Sequence, residues 1–344
     1  MKRFNKGNGD KMSTIKDVAQ VSGISVGTIS RYLNGYNVKP ENQEKIEKAI
    51  EELNYRVNPI ARGLKTNKSF TIGIIVPSIT DVFANQVIEG VEDILERENY
   101  SIIICSSRNR LKTEKEKLSF LKEKRVDGIV MMPVSDESKH VNEFIEEDIP
   151  LILIDRLLEE VKCDGVVCDN VNGSYHAMEE LIRYGHRRIG IIAGPENVYT
   201  ARERLNGYKR SLNDYQISID EELIQYAKYE KNGGLEGYEN LMNLSNPPTA
   251  IFATNYETTM TGIKYFMERG IKIGEDISFF GYDNTDIFQM LTPSISTVVQ
   301  PMNEIGEEAA KLLLSRIEGN FTIHPIIQRL KTRLLLGSSV KKIF

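Results

Sequence analysis

The chain has 344 residues, enough for more than one domain and a substantial buried core. Its formal charge of −5 hides an asymmetry: residues 1–68 carry 13 Lys+Arg against 7 Asp+Glu (+6), and the rest 31 against 42 (−11), as if one end alone met nucleic acid. No apolar run approaches the roughly 20 residues of a membrane helix, and three cysteines with no CxxC pair and no secretory leader favour a reducing cytoplasm over a disulfide framework.

Residues 1–11, MKRFNKGNGDK, read as a polar, disordered lead-in. From Thr14 to Asn34 the spacing predicts two short helices joined by a tight turn. In the first, Ile15, Val18 and Ala19 share one face at i, i+3, i+4. Gly23 supplies the backbone freedom of the turn, and Ser25 can cap the second helix. There Ile29 and Leu33 face inward, leaving Thr28, Ser30 and Arg31 outside. Hydroxyls for phosphates and an arginine for a guanine edge are what major-groove reading requires. The alternative is an ordinary helical hairpin with a solvated face. A third helix is predicted from Pro40 to Leu53, with Pro40 at its first position, Glu41 and Glu44 near its positive end, and Ile46, Ala49, Ile50 and Leu53 as its buried stripe. Residues 58–68, NPIARGLKTNK, start a helix at Asn58 and Pro59 that Gly63 ends after about one and a half turns. A helix that short is marginal alone and is expected to be disordered when free.

From Phe70 onward apolar strands alternate with amphipathic helices. Strands are predicted at 71–77, 101–105, 127–133 and 150–155, with helices at Ala84–Glu98, Thr113–Lys124 and Lys139–Glu147. A second series has strands at 187–195, 223–227, 249–255 and 277–283, with helices at Arg202–Asp214, Gly234–Leu244 and Thr258–Arg269. Short strands buried on both faces between helices indicate parallel, doubly wound sheets, here in two similar α/β lobes. After Thr292 the alternation breaks into a strand at Ser296–Gln300, a helix from Met302 to Arg316 and two short strands near 326–336.

Enzyme signatures are missing. The first strand runs into VPSITDVF rather than GxGxxG, and neither GxxxxGK[ST] nor GxSxG occurs. His140, His176, His186 and His324 lack metal-ligand spacing. The chain is therefore read as a non-enzyme without cofactor or metal.

Three words, TIKDVA, GISVGTISRYLN and ELNYRVNPIARGL, stand in order near the start of the chain. Together they resemble the amino-terminal headpiece of the LacI/GalR (lac repressor) family of bacterial transcription regulators, and the likeness continues through nearly all of the remaining chain. The resemblance implies an all-α helix-turn-helix headpiece and a core like that of periplasmic sugar-binding proteins. The domains would be a lead-in at 1–11, a DNA-binding domain at 12–57, a hinge at 58–68 and an effector-binding, dimerising core at 69–344. Within the core, lobe 1 would take about 70–170 and 298–323 and lobe 2 about 171–296 and 326–344, with crossings near 169–172, 294–299 and 322–327.

Carried over by position, Val26, Gly27 and Arg31 fall where the family reads bases, and Thr28 and Ser30 where it holds phosphates. Thr14, Ser25, Asn34 and Asn58 complete the expected contacts. Gly27 offers no side chain, which throws discrimination onto Arg31 and the hinge. Lys39 replaces a frequent hydroxyl cap. The hinge would fold on operator DNA, Leu64 wedging between base pairs of the minor groove while Arg62 or Lys65 grips nearby; the alternative is a plain flexible linker.

In the cleft the resemblance places Arg204 of RERLNGY, Asn255, Asp283 of GYDNT, Asn172, Gln300 and Phe83. The aspartate would accept hydrogen bonds from sugar hydroxyls and the phenyl face would cover a sugar ring. Asp283, Asn255 and Asn172 could equally be local turn or cap residues. Arg204 suits a sugar, a sugar phosphate or a sugar acid; Arg156 either adds charge to the cleft or pairs at the surface. Where the family often has Asn-Asp, this chain has Asn255-Tyr256.

The expected function is a cytoplasmic homodimeric repressor of carbohydrate genes, binding double-stranded operator DNA under allosteric control by a small effector. An alternative is a catabolite-control-type regulator with a phosphorylated carrier protein as corepressor, suggested by VVQPMNEIG (298–306). A sugar-binding protein without a DNA role would leave the headpiece unexplained.

Overall fold

The computed structural model of the protein describes residues 13–33, 36–55, 68–146, 149–228, 232–283 and 286–343. The chain divides into two compact units, Met1–Ser69 and Phe70–Phe344. The first unit holds helices α1 (Ile15–Ser22), α2 (Val26–Leu33) and α3 (Pro40–Glu52). Thr14 and Asp17 cap α1 reciprocally, the Asp17 carboxylate accepting the Thr14 N–H at 2.7 Å. Gly23 ends α1 at φ 70°, in the left-handed region where a β-carbon is penalised. Val18, Ile29, Ile46 and Ala49 form the buried centre, with Ile15, Ala19, Leu33, Ile50 and Leu53 packed against it. The three-helix headpiece with its predicted apolar stripes is thus present, and α3 starts at Pro40 without a side-chain cap from Lys39.

The second unit contains two six-stranded sheets. The first combines β1 (Thr71–Val76), β2 (Ser101–Ser106), β3 (Gly128–Met131), β4 (Leu151–Ile154), β5 (Asp164–Cys168) and β11 (Ile327–Leu330), in the order β11-β5-β4-β3-β1-β2. The second combines β6 (Ile189–Ala193), β7 (Ile224–Tyr226), β8 (Ala250–Ala253), β9 (Ser278–Tyr282), β10 (Ser296–Val299) and β12 (Arg333–Leu335), in the order β12-β10-β9-β8-β6-β7. All pairings are parallel except β10 with β12. The helices are α4 (Val82–Arg97), α5 (Leu111–Glu123), α6 (Lys139–Ile145), α7 (Asn170–Arg183), α8 (Tyr199–Asp214), α9 (Leu235–Met242), α10 (Tyr256–Arg269), α11 (Asp286–Met290) and α12 (Met302–Ile317). Among the described residues no helix is long and apolar enough to cross a membrane.

Two features depart from the sequence reading. β5 and α7 were not anticipated. β5 opens on an aspartate, and α7 opens on Asn170-Val171-Asn172-Gly173, which reads as a loop. Asp164 is tolerated inside because Arg316 grips both its oxygens, at 2.7 and 3.0 Å, and Ile326 N–H donates to it at 2.6 Å. The lobe boundaries also shift. β10 pairs with β9 and so belongs to the second lobe, whereas β11 pairs with β5 in the first. Lobe 1 is therefore 70–168 with 302–330 and lobe 2 is 170–299 with 333–343, the chain crossing near 169, 300–301 and 331–332. Membership is decided by the partner strand, which a short apolar segment does not encode.

In lobe 1, α12 lies directly on α4. A β-carbon on Gly90 would overlap the Asn303 carbonyl, and one on Gly306 the Val87 carbonyl. Gly306→Ala should therefore cost about 1–3 kcal/mol of stability in chemical denaturation, the usual range for overpacking; an unchanged midpoint would mean that the helices can separate freely.

Candidate functional site

In the first unit the residues expected at DNA lie along α2 and its flanks. Val26, Gly27 and Arg31 are exposed and Thr28 and Ser30 half-buried. Arg31 pairs with no carboxylate among the described residues. A β-carbon on Gly27 would meet nothing closer than the Ser25 hydroxyl at 4.0 Å, so the fold itself does not require glycine there. Thr14 and Ser25 serve as caps: the Thr14 hydroxyl donates to Asp17 at 2.8 Å, and Ser25 Oγ accepts the Thr28 N–H at 3.3 Å. Tyr32 ties α2 to α3 through Glu47 at 2.6 Å. Asn34, Asn58, Arg62, Leu64 and Lys65, all expected at DNA, lie outside the described residues.

In the second unit a cavity of about 620 Å³ opens at the carboxyl ends of the strands of both sheets. Lobe 1 contributes Asp81 and Phe83 at the start of α4 and Asp155 and Arg156 after β4. Lobe 2 contributes Arg204 on α8, Asn255 and Tyr256 after β8 and Asp283 after β9, and Gln300 enters on the crossover. Asp155 and Asp283 end equivalent strands of the two lobes with φ of 63° and 68°. That left-handed conformation is open to aspartate more than to most residues, and holding it at a ligand-sized cavity is a common use of backbone strain.

The floor is a buried polar network. Arg204 is 3 % exposed; its Nε donates to Asn170 Oδ1 at 2.9 Å, its Nη1 donates to the Thr254 carbonyl at 2.7 Å, and its guanidinium lies 3.9 Å from the centre of the Tyr282 ring. The Tyr282 hydroxyl also donates to Asn170 Oδ1, at 3.1 Å. Asp283 accepts from Gln300 Nε2 at 2.5 Å and from Tyr256 N–H at 2.9 Å. Burial nevertheless pushes its carboxyl above the ordinary carboxylate range, against the pull of Arg204 and Gln300. Asp81 caps α4 through Phe83 and Ala84 N–H and is raised by the same cause, with Asp155 adding to it. Arg156 is held by Asp155 at 3.2 Å and by the Pro133 carbonyl at 2.9 Å. Gln300 Oε1 is buried with no hydrogen-bond partner among the described residues.

Of the residues expected in the cleft, Phe83, Arg156, Arg204, Asn255, Asp283 and Gln300 line this one cavity. Asn172 does not: it is exposed and donates to Asp169 at 2.6 Å. Asn170 faces inward instead, because two residues of helix turn the side chain by about 200°. Asn255 borders the cavity, but its side-chain Oδ1 is occupied as the cap of α10, accepting from Thr258 N–H at 2.9 Å and from the Thr258 hydroxyl at 2.6 Å. Sequence reasoning missed Asp81, Asp155, Asn170 and Tyr256. The repetition of a strand-end aspartate in LILID and FFGYD could have exposed Asp155; Asp81 looks like any helix cap. Among the described residues no group of three or more His, Cys, Asp or Glu could hold a metal ion.

The raised carboxyl of Asp283 means that the native state holds its proton more tightly than the unfolded chain does. This contribution is full below the unfolded value and is lost as pH rises through the folded one. Asp283→Asn, which removes the charge and tolerates the same backbone, should raise the melting temperature at pH 7, by roughly 2–4 °C per kcal/mol relieved, and much less at pH 4. A lower melting temperature at pH 7 would show that the charge stabilises the empty fold.

Residues 14–58 match the model of bacterial regulatory proteins, lacI family, and residues 178–340 that of the periplasmic binding protein-like domain. The chain is 35% identical over 334 residues to the HTH-type transcriptional repressor PurR of Vibrio atlanticus (strain LGP32), covering 94% of this chain and 100% of that one. A LacI family transcriptional regulator from Enterococcus faecium, solved with bound ribose, superposes with a TM-score of 0.71 at 31% identity, covering 80% of this chain and 100% of that one. The lac repressor dimer bound to operator and an anti-inducer shares the fold at a TM-score of 0.84 and 24% identity, over 96% of this chain and 100% of that one. With a lacI-type helix pair in one unit and a two-lobed core with a cavity in the other, this chain belongs to the LacI family of DNA-binding bacterial transcription regulators.

Proposed function

We propose that the protein is a homodimeric repressor of carbohydrate genes whose cleft takes an uncharged, hydroxyl-rich sugar. The observation that carries the effector class is the charge balance of the cavity. Asp81, Asp155, Glu257 and Asp283 line it from both lobes; of the cations there, Arg156 is engaged by Asp155, Arg204 by Asn170 and Thr254, and Lys264 lies 3.8 Å from Glu268. A phosphate or carboxylate would enter against four carboxylates. Sugar hydroxyls would donate to them and to Gln300 Oε1, with Phe83 offering an apolar face to the ring. The ribose in the Enterococcus faecium relative supports this class.

On the DNA side, paired headpieces would read two half-sites of a palindromic operator, α2 lying in the major groove. The segment 58–68 would fold on the DNA, and effector binding would act on it by favouring one arrangement of the lobes over another. The protein works where transcription does, in the cytoplasm, and no catalytic role is assigned to the cleft.

Full-length protein should be screened by thermal shift against neutral pentoses and hexoses, their phosphates, sugar acids and nucleobases. At 100 times its Kd the effector adds about 2.7 kcal/mol, a shift of several degrees. A neutral sugar as the hit supports the proposal; a sugar phosphate or acid overturns the effector class. Asp283→Ala should abolish the shift in a protein that still melts cooperatively, and an unchanged shift removes Asp283 from the site. Leu64→Ala should weaken operator binding in fluorescence anisotropy with effector affinity nearly intact; equal operator affinity rejects the wedge.

A further inference from the structure

Three consecutive residues of α8 face three different destinations. Arg204 enters the floor of the cavity. Arg202 reaches out of lobe 2: its Nη1, which also donates to the Glu196 carbonyl of lobe 2 at 3.1 Å, lies 2.5 Å from Asp136 Oδ2, in the loop after β3, and its Nη2 lies 3.8 Å from Glu159 Oε1, in the loop after β4. Glu203 also reaches lobe 1, both its oxygens lying 3.2–3.3 Å from Arg329 Nη1 on β11. Successive side chains point about 100° apart around a helix, so one rigid turn serves all three.

We infer that Arg202 and Glu203 form a two-point ionic clamp that sets the closure of the lobes, and that Arg204 links this clamp to cleft occupancy; the second clause rests on the reading of the cleft as the effector site. The two contacts have opposite polarity, a cation of lobe 2 on anions of lobe 1 and then the reverse. A slip of α8 by one residue would set Arg202 against Arg329, so the clamp fixes register as well as distance. Arg202, Asp136 and Arg329 remain a third or more exposed. Pairs of that kind are individually weak and screened by salt. Weakness suits a joint that must open, and because both pairs join lobes rather than close the core of one, their effect falls on the lobe equilibrium.

The test needs no effector. Spin labels are placed on full-length protein at Glu123→Cys in lobe 1 and Asn213→Cys in lobe 2, both exposed positions, and labelled chains are diluted with unlabelled ones so that distances within one chain are read by electron–electron resonance. Arg202→Ala and Glu203→Ala should each raise the longer-distance population by roughly threefold, the factor for one weak exposed pair. The exchange Arg202→Asp with Asp136→Arg should restore the wild-type distribution, and 1 M salt should move the wild type toward the variants. Cooperative melting of every variant shows that the fold is kept. Unchanged distances in the Arg202→Ala/Glu203→Ala double variant, or an exchange that fails to restore them, overturns the clamp. Failure of the effector proposal would appear separately, as an unchanged thermal shift in Asp283→Ala.

Discussion

Burying Arg204 and Asp283 at the mouth of two parallel sheets is the constraint on which the rest of the core depends. A guanidinium and a carboxylate taken out of water are tolerated only when nearly every polar atom finds a partner. Here the partners come from everywhere in lobe 2: Asn170 from α7, Thr254 from the end of β8, the Tyr256 N–H from α10, the Tyr282 ring from β9 and Gln300 from the crossover. The convergence of strand ends makes this possible, since each parallel strand delivers its terminal residue to the same edge of the sheet. Among the described residues of this network Gln300 Oε1 is left without a partner, and burial holds the carboxyls of Asp81 and Asp283 above the ordinary range although each accepts two hydrogen bonds.

The two units rest on different physics. The core closes around long clusters of Ile, Val, Leu and Phe on both faces of its sheets. Among its described residues the headpiece buries four apolar side chains, Val18, Ile29, Ile46 and Ala49, and adds backbone devices: a reciprocal cap on α1, a left-handed glycine at its end and a proline start on α3. In a unit that small no other described apolar residue is buried, and Val21, Val26 and Tyr36 stay exposed.

Charge is used in two ways within the core. Buried pairs such as Asp164 with Arg316 are geometrically fixed and pin the segment between α12 and β11 to lobe 1. Exposed pairs such as Arg202 with Asp136 bridge the two lobes. The same ionic chemistry thus gives permanence where solvent is excluded and reversibility where it is not.

The helix-turn-helix and the alternation of strands and helices were legible because each rests on local periodicity or on a motif read in order along the chain; the cleft residues came from the family resemblance by position, and six of the seven line the cavity. The sequence could not show which side of a helix start faces inward, so Asn172 stood where Asn170 belongs. Nor could it show that Asn255 spends its side-chain oxygen on a cap, that Asp81 and Asp155 join Asp283 across the cleft, or that β10 and β11 exchange lobes. Local backbone preference and burial pattern are properties of neighbouring residues and are written in the sequence. Which strand pairs with which, and which charges meet across more than a hundred residues, is decided only when the chain closes its sheets, because the energy of those contacts depends on partners that no local pattern names.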